Sequence, residues 1–373
     1  MTRLFDDRPL LVFWETTKAC SLACLHCRAN AQRERGSDDL STTEGFDLIN
    51  DLAAVGRPRP ILILTGGDCL MRDDIVVLAA HADRMKVPVA IAPSVSPKLT
   101  TTTLRELRAL NVKTASLSLD GAAPDTHDAV RGTDGHFEAT LRAISALKMH
   151  GYNVQINTTV MRRNVHELAD IAALIHRSEI DAWEVFFLIN TGRGTGIDAP
   201  SASENEEICH FLVDASRYGF IVRTVEAPFF RRVAHDRCRS GDLPMDGAFG
   251  GGPLYSHLRD RLHAQLGSPT GPVRAPSVST RDGKGVIFVA SNGDVYPSGF
   301  MPLRLGTIRE ESLVGIYRDH ELLRSIRSAD FTGHCGRCEH ADLCGGSRAR
   351  AFATSGDPLG EDPGCIRTSG SGW

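Results

Sequence analysis

The chain has 373 residues, 42 % of them hydrophobic and 24 % charged, with a formal net charge of −4. These values fit one large folded domain with a smaller one and exclude general disorder. The negative balance argues against a protein that binds nucleic acid by neutralising phosphates.

The opening, Met1 to Arg8, has two aspartates against two arginines and so no positive excess, and the apolar run 10–14 is too short for a signal core. No stretch approaches the roughly 18 apolar residues that a membrane helix needs. A cytoplasmic protein with no membrane partner is therefore expected. From there to residue 224, short apolar runs alternate with amphipathic stretches. Strands are predicted over 10–16, 60–64, 88–92, 114–119, 154–159 and 183–188. Helices are predicted over 42–55, 73–85, 101–110, 137–150, 165–176 and 204–218. Ser41 with Glu44 three residues on reads as a capping box. Six βα units of this kind predict a parallel, curved α/β sheet, a partial (β/α)6 TIM-like barrel or a doubly wound fold. In either, function gathers at the C-terminal ends of the strands.

The pattern then changes. Residues 247–252 and 268–284 are rich in Gly, Pro and Ser and read as an irregular bridge. Two apolar runs around Asn292-Gly293 predict a β-hairpin. A cysteine-rich end follows, and 369–373 reads as a loose tail. The expected organisation is a barrel over 1–225, a bridge over 226–284 and a small cysteine-rich domain over 285–373.

Ten cysteines are too many to ignore in a reducing compartment, where clustered thiols are more often metal ligands than disulfides. Cys20, Cys24 and Cys27 follow the first predicted strand with the spacing C-x3-C-x2-C. Such a loop can place three thiolates around one four-iron cube and leave the fourth iron open to an exchangeable ligand. A zinc site would need a fourth ligand, and His26, wedged between two of the cysteines, is poorly placed to close the tetrahedron. Cys335, Cys338, Cys344 and Cys365 supply four thiolates near the end. These can fill a four-iron cluster completely, although spacing alone does not separate this set from a zinc knuckle. Cys69, Cys209 and Cys238 stand apart, and a lone cysteine is usually a small buried hydrophobe.

The stretch from Trp14 to Ala29 resembles the cluster loop of the radical S-adenosylmethionine (SAM) superfamily. The resemblance implies a [4Fe–4S] cluster on Cys20, Cys24 and Cys27 whose open iron chelates SAM, and reductive cleavage of SAM to a 5′-deoxyadenosyl radical that abstracts hydrogen from an unactivated carbon. It places His26 near the adenine. It gives Gly66, Gly67 and Asp68, in Thr-Gly-Gly-Asp, contacts to the methionine ammonium; Asp68 stands where the family more often has Glu, and Cys69 where it has Pro. Ser118, Asp120 and Arg131 become candidates for ribose and carboxylate contacts. Ser94, after the third strand, lies at the proper barrel end, as do Pro93 and Asn157. The loop Thr191-Gly192-Arg193-Gly194 would flank adenine or substrate.

The cysteine-rich end resembles the SPASM or shorter twitch extension, through 282–285, 293–300 and 344–351. Within that group it is similar to Fe-coproporphyrin III decarboxylating haem synthases, haem d1 maturation enzymes and mycofactocin-type maturases. The resemblance implies one auxiliary [4Fe–4S] cluster. Ser298 stands where many relatives have cysteine, which puts a second cluster in doubt. A flavodoxin- or ferredoxin-like reductant is the implied partner. The substrate is expected to be a tetrapyrrole propionate, a precursor peptide or a small metabolite. Arg231 and Arg232 would meet an acidic substrate or lie on the solvated surface. The competing class is a non-enzymatic zinc protein that binds a partner.

Overall fold

A computed structural model describes residues 5–239, 251–276 and 280–368. The Gly-rich bridge lies partly, and the tail from 369 wholly, outside the described residues. Seven parallel strands lie side by side in chain order: β1 (Leu11–Glu15), β2 (Ile61–Thr65), β3 (Val89–Ile91), β4 (Thr114–Ser118), β5 (Asn153–Val160), β6 (Ala182–Phe187) and β7 (Ile221–Val225). The crossovers carry α1 (Thr42–Ala54), α2 (Ile75–Met85), α3 (Thr101–Ala109), α4 (Pro124–Arg131), α5 (His136–Met149), α6 (Leu168–Arg177) and α7 (Ala202–Ala215). Consecutive parallel neighbours joined by helices are what a right-handed βα winding produces.

Strand alternation explains the two faces. On β5, Val154, Ile156, Thr158 and Val160 are buried, whereas Gln155, Asn157 and Thr159 point to the other side and are half-buried. Ala115 and Leu117 on β4 are buried in the same way, between the half-buried Thr114, Ser116 and Ser118. One face therefore carries the core with the helices, and the other is a polar wall. Ser41 caps α1 in the predicted box, its Oγ accepting from Glu44 N while Glu44 accepts from Ser41 N.

The structure adds the unpredicted helix α4 between β4 and α5 and departs from the sequence reading in three further places. The helix predicted to Tyr218 ends at Ala215, continues as one tight turn and is closed by Gly219 at φ +103°, which frees β7 as a seventh strand. The bridge holds two helices, α8 (Phe229–Arg239) and α9 (Pro253–Leu266); α8 packs on α7, and α9 on α6 and α7. The cysteine-rich end also joins the main sheet. β8 (Arg281–Asp282) pairs with β9 (Gly285–Val289), and β9 runs parallel to β1 with Val12 opposite Ile287. β10 (Asp294–Tyr296) completes the predicted hairpin with β9, turning on Gly293 at φ +88°, and β11 (Gly306–Thr307) follows at the sheet edge. The helices α10 (Leu313–Asp319), α11 (Glu321–Ser328), α12 (Gly333–Arg337) and α13 (Arg348–Ser355) complete this end. Among the described residues no helix is long and apolar enough to cross a membrane.

Candidate functional site

The front cysteines sit on the loop that leaves the C-terminal end of β1. This loop folds back on itself: Cys20 N donates to Gln32 O (2.7 Å) and Gln32 N to Lys18 O (2.9 Å). Three neighbouring strand or helix ends then grip it. From β2, Gly67 N donates to Thr17 O and Asp68 N to Ala19 O, each at 2.8 Å. A Cβ on Gly66 would lie 2.4 Å from Thr17 O, and one on Gly67 2.5 Å from Ala19 O. Glycine is thus required here for the strand end to meet the loop backbone. From α4, Val130 O accepts from Leu25 N (2.9 Å). From beyond β6, Arg193 N donates to Cys27 O and Arg193 Nε to Cys24 O, both at 3.0 Å. The Thr191–Gly194 segment thus braces the back of the cysteine loop.

The Cys20 and Cys24 thiols have different neighbours. Cys20 Sγ lies 3.5 Å from Ser94 Oγ and accepts from Leu22 N at 3.4 Å. Burial raises the Cys20 thiol above its ordinary value, against the pull of those two bonds. Arg131 Nη1 donates to Cys24 Sγ at 3.6 Å. Asp68 is fully buried and accepts from Leu70 N (3.1 Å), Ser94 N (3.3 Å) and Ser96 Oγ (2.6 Å). Burial raises its carboxyl despite these donors. Asp68 thus ties the loop after β3, and with it Ser94, to the side of Cys20.

A second set forms around Asp120, just past β4. Its Oδ1 accepts from Thr159 N (2.7 Å); its Oδ2 lies 2.5 Å from Arg131 Nη2 and 3.5 Å from His26 Nε2. Burial alone would raise this carboxyl, but Arg131 and then His26 outweigh it and hold it below the ordinary range. His26 is enclosed, and burial pulls its imidazole down to about 4. It is therefore neutral at physiological pH, a flat ring rather than a cation. The fold brings His26, Asp120, Arg131 and Cys24 together from separate stretches of sequence. Ser118 stands at the end of β4 opposite Asn157, on the polar wall and apart from this set. Cys69 and Cys209 are wholly buried with thiols pushed well above the ordinary value, as small core hydrophobes; Cys238 is exposed.

At the other end, Cys335, Cys338, Cys344 and Cys365 line one small cavity of about 20 Å³, together with Arg232, His340 and Arg367. Gly346, at φ +66°, lets the backbone pass close to a thiol: a Cβ there would lie 3.1 Å from Cys335 Sγ. Gly346 N donates to Cys344 Sγ (3.4 Å), Arg348 Nη2 to Cys335 Sγ (3.7 Å) and Arg367 Nη1 to Cys338 Sγ (4.0 Å). Burial pushes the Cys344 thiol up to about 12 and Cys365 to about 11, so a bound metal is needed to hold either as thiolate.

Among the described residues, the metal-ligand set whose atoms all lie within 4.8 Å of one another is His235, Asp236 and His340. Neither cysteine set is that tight. A mononuclear zinc, with Zn–S near 2.3 Å, would draw its sulfurs to within about 4 Å of each other. Ser298 is engaged with the Asp282 carboxyl and donates no thiolate.

Arg231 and Arg232 do not meet solvent as a pair of surface charges. Arg232 is 6 % exposed and bonds Glu206 Oε2, while Arg231 has a fully enclosed Nη1 with no partner. Both face the tail cysteines. Sequence reasoning also missed the buried carboxyl pair Glu226–Asp282, which is hydrogen-bonded across the open side of the sheet from the end of β7 to β8.

A parallel α/β barrel-type sheet, with a three-cysteine loop at the C-terminal end of its first strand, defines a class of iron–sulfur enzyme. The radical SAM superfamily model matches residues 14–175. An AdoMet-dependent heme synthase of Methanosarcina barkeri is 33 % identical over 366 residues, covering 98 % of each chain. The mycofactocin maturase MftC of Mycobacterium tuberculosis is 29 % identical over 97 % of this chain and 84 % of its own. Streptococcus suis SuiB bound to the precursor peptide SuiA shares the fold, with a TM-score of 0.68 over 97 % of this chain and 76 % of its own, at 15 % identity. The chain belongs to the radical SAM superfamily and is an enzyme, and membership brings a [4Fe–4S] cluster and SAM.

Proposed function

We propose that this enzyme acts on the propionate side chains of an iron tetrapyrrole, converting them oxidatively with loss of carbon dioxide. The observation that carries this reading is the 33 % identity to an AdoMet-dependent heme synthase along essentially the whole of both chains. Cys20, Cys24 and Cys27 would hold the front cluster, and the four tail cysteines an auxiliary one. When bound, the front cluster supplies the electron that cleaves SAM to a 5′-deoxyadenosyl radical.

The chain's own residues do the rest. The gripped loop fixes the three thiols. Neutral His26 offers a flat face for a base, and Asp120, held ionised by Arg131, offers acceptors for hydroxyls. The polar wall of β4, β5 and β6 lines the space where a substrate carbon would be presented. Loss of carbon dioxide from a propionate radical leaves one electron, and a cluster held by Cys335, Cys338, Cys344 and Cys365 would supply an acceptor for it. A flavodoxin- or ferredoxin-like protein is the proposed reductant.

Anaerobic reconstitution should give about eight irons per chain, four per cluster. Dithionite and SAM should yield 5′-deoxyadenosine, and added iron coproporphyrin III should lose carbon dioxide by mass spectrometry. Two zincs and no iron–sulfur absorbance would sink the reading. A second substrate, a precursor peptide, is favoured by the 29 % full-length identity to a mycofactocin maturase. Turnover of a peptide but not of the tetrapyrrole would select it.

A further inference from the structure

Six arginines surround the tail cysteines, and their partners divide them. Arg232 pairs with Glu206, Arg350 with Asp362 (3.1 Å) and Arg367 with Glu339 (3.2 Å). Among the described residues, Arg231, Arg281 and Arg348 have no carboxylate within 4.0 Å. Arg281 and Arg348 are 6 % and 1 % exposed. Arg281 donates to the carbonyls of Ala341, Asp342, Cys344 and Ile326, and Arg348 to those of Gly346, Pro358 and Gly360 and to Cys335 Sγ. Arg231 donates to nothing through its enclosed Nη1, and Cys344 and Asp282 act on it only through their charge. Asp282 lies within electrostatic reach of Arg231 and Arg348 without an ion pair to either, and its partner Glu226 within reach of Arg350.

Burying a guanidinium without a counter-charge is unfavourable, so three of them behind the tail cysteines, reaching Cys335 Sγ (Arg348), Cys344 O (Arg281) and Cys344 by charge alone (Arg231), favour a multiply charged anion at those thiols. A cube with four thiolates is such an anion, and each electron added makes it more so. The front loop carries less uncompensated positive charge. Arg131, which donates to Cys24 Sγ, is neutralised by Asp120; Arg193, on the Cys24 carbonyl, has an enclosed nitrogen lacking a partner among the described residues; and the Asp68 carboxyl adds to the electrostatic burden on Cys20.

We propose that Arg231, Arg281 and Arg348 form a cationic shell that raises the reduction potential of the tail cluster above that of the front one. The shell makes the tail centre an electron acceptor and gives electron flow across the molecule a direction. This rests on the tail cysteines holding an iron–sulfur cluster; the shell is a property of this chain's own arginines. Net charge and hydrogen bonds to the sulfurs are among the factors that set such potentials.

The test is a potentiometric titration of the reconstituted holoenzyme, with both clusters followed by electron paramagnetic resonance. Arg231→Gln removes one enclosed charge and breaks no hydrogen bond. It should shift the tail midpoint to more negative potential, leave the front midpoint in place and keep the iron count. Arg231→Lys should return the tail midpoint toward the parent value. If Arg231→Gln costs too much folding for the titration, Arg281→Lys compared with Arg281→Gln supplies the same charge contrast. An unmoved tail midpoint in a fully loaded charge-removing variant would overturn the shell. Parent protein with only the front iron would instead overturn the cluster reading beneath it, so the two failures are distinguishable.

Discussion

The two cysteine regions solve opposite problems with the same ligand. At the front, a loop offers three thiols in half-open surroundings, and three strand or helix ends spend their backbone hydrogen bonds on holding that loop still. At the tail, four thiols converge on a small cavity, and the loop around them is held by guanidinium side chains, which contribute charge as well as hydrogen bonds. A site that must exchange a ligand needs a rigid loop with an opening. A site that only passes electrons needs enclosure and a favourable potential. Arg28 joins the two regions: it pairs with Glu15 at the end of β1 and stacks 4.5 Å from the Phe288 ring on β9.

The largest expected effect breaks the front alone. Cys24→Ala should abolish 5′-deoxyadenosine formation with dithionite and SAM, while the tail cluster keeps its spectrum. Formation at the parent rate would remove Cys24 from the site. The mirror experiment is Cys344→Ala. It should leave SAM cleavage intact and cost most of the substrate conversion, read as the ratio of product to 5′-deoxyadenosine. Equal loss of both would mean that the two regions are not functionally separate.

A smaller effect sharpens the comparison by stability. Asp120 and Arg131 form a buried pair at the front, 1 % and 8 % exposed at their side chains. Removing one partner of such a pair costs about 3–5 kcal/mol because the other charge is stranded. Asp120→Asn should fall at the low end of that range, since the amide oxygen still accepts from Thr159 N. A denaturant melt of the variant measures it. A loss below about 1 kcal/mol would show that Arg131 has found Cys24 as a sufficient partner.

Much of this was legible in the chain, and the reasons are specific. The apolar runs between Gly and Pro marked six strands, and Asn292-Gly293 marked the hairpin, because turn chemistry and strand periodicity are local. The cysteine spacings singled out the seven thiols for the same reason. β7 was missed because one tight turn and Gly219 separate it from α7. α8 was missed because its sequence carries five charged residues in eleven and looks like surface. The arginine shell was illegible in principle. Arg231, Arg281 and Arg348 lie far apart in sequence and share no motif, and only the pairing of β8 with β9 and the course of α8 bring them behind the tail cysteines. The same holds for Glu226 and Asp282, which meet across the open side of the sheet.

That carboxyl pair tests the seam between the regions. Burial raises both carboxyls, Glu226 well above the ordinary range; Asp282 adds to the burden on Glu226, while the hydrogen bond with Glu226 partly offsets the rise at Asp282. A carboxyl whose folded value is raised binds its proton more tightly in the fold than in the unfolded chain. Its stabilisation is therefore complete below the ordinary carboxyl range and is lost as pH rises toward the folded value. Stability should thus decline on the alkaline side of that range. Glu226→Gln, whose amide N–H can bond Asp282 at any pH, should flatten the decline. Urea melts of parent and variant across pH give the difference directly. Parallel curves would mean that the pair carries no shared proton.

The smallest expected effect concerns His26. An imidazole held near 4 by burial does not change charge between pH 5 and 8, so the rate of SAM cleavage should show no step in that window from this residue. His26→Phe keeps a flat ring and loses only the 3.5 Å approach to Asp120, whose principal partner is Arg131. It should lower the rate by no more than a few-fold, and the pH profile should overlay that of the parent. His26→Ala removes the ring and should cost more, through weaker SAM binding. If His26→Phe instead abolished a pH step present in the parent, the imidazole would be titrating in the loaded enzyme. The front region would then hold a charge switch where its geometry predicts a passive wall.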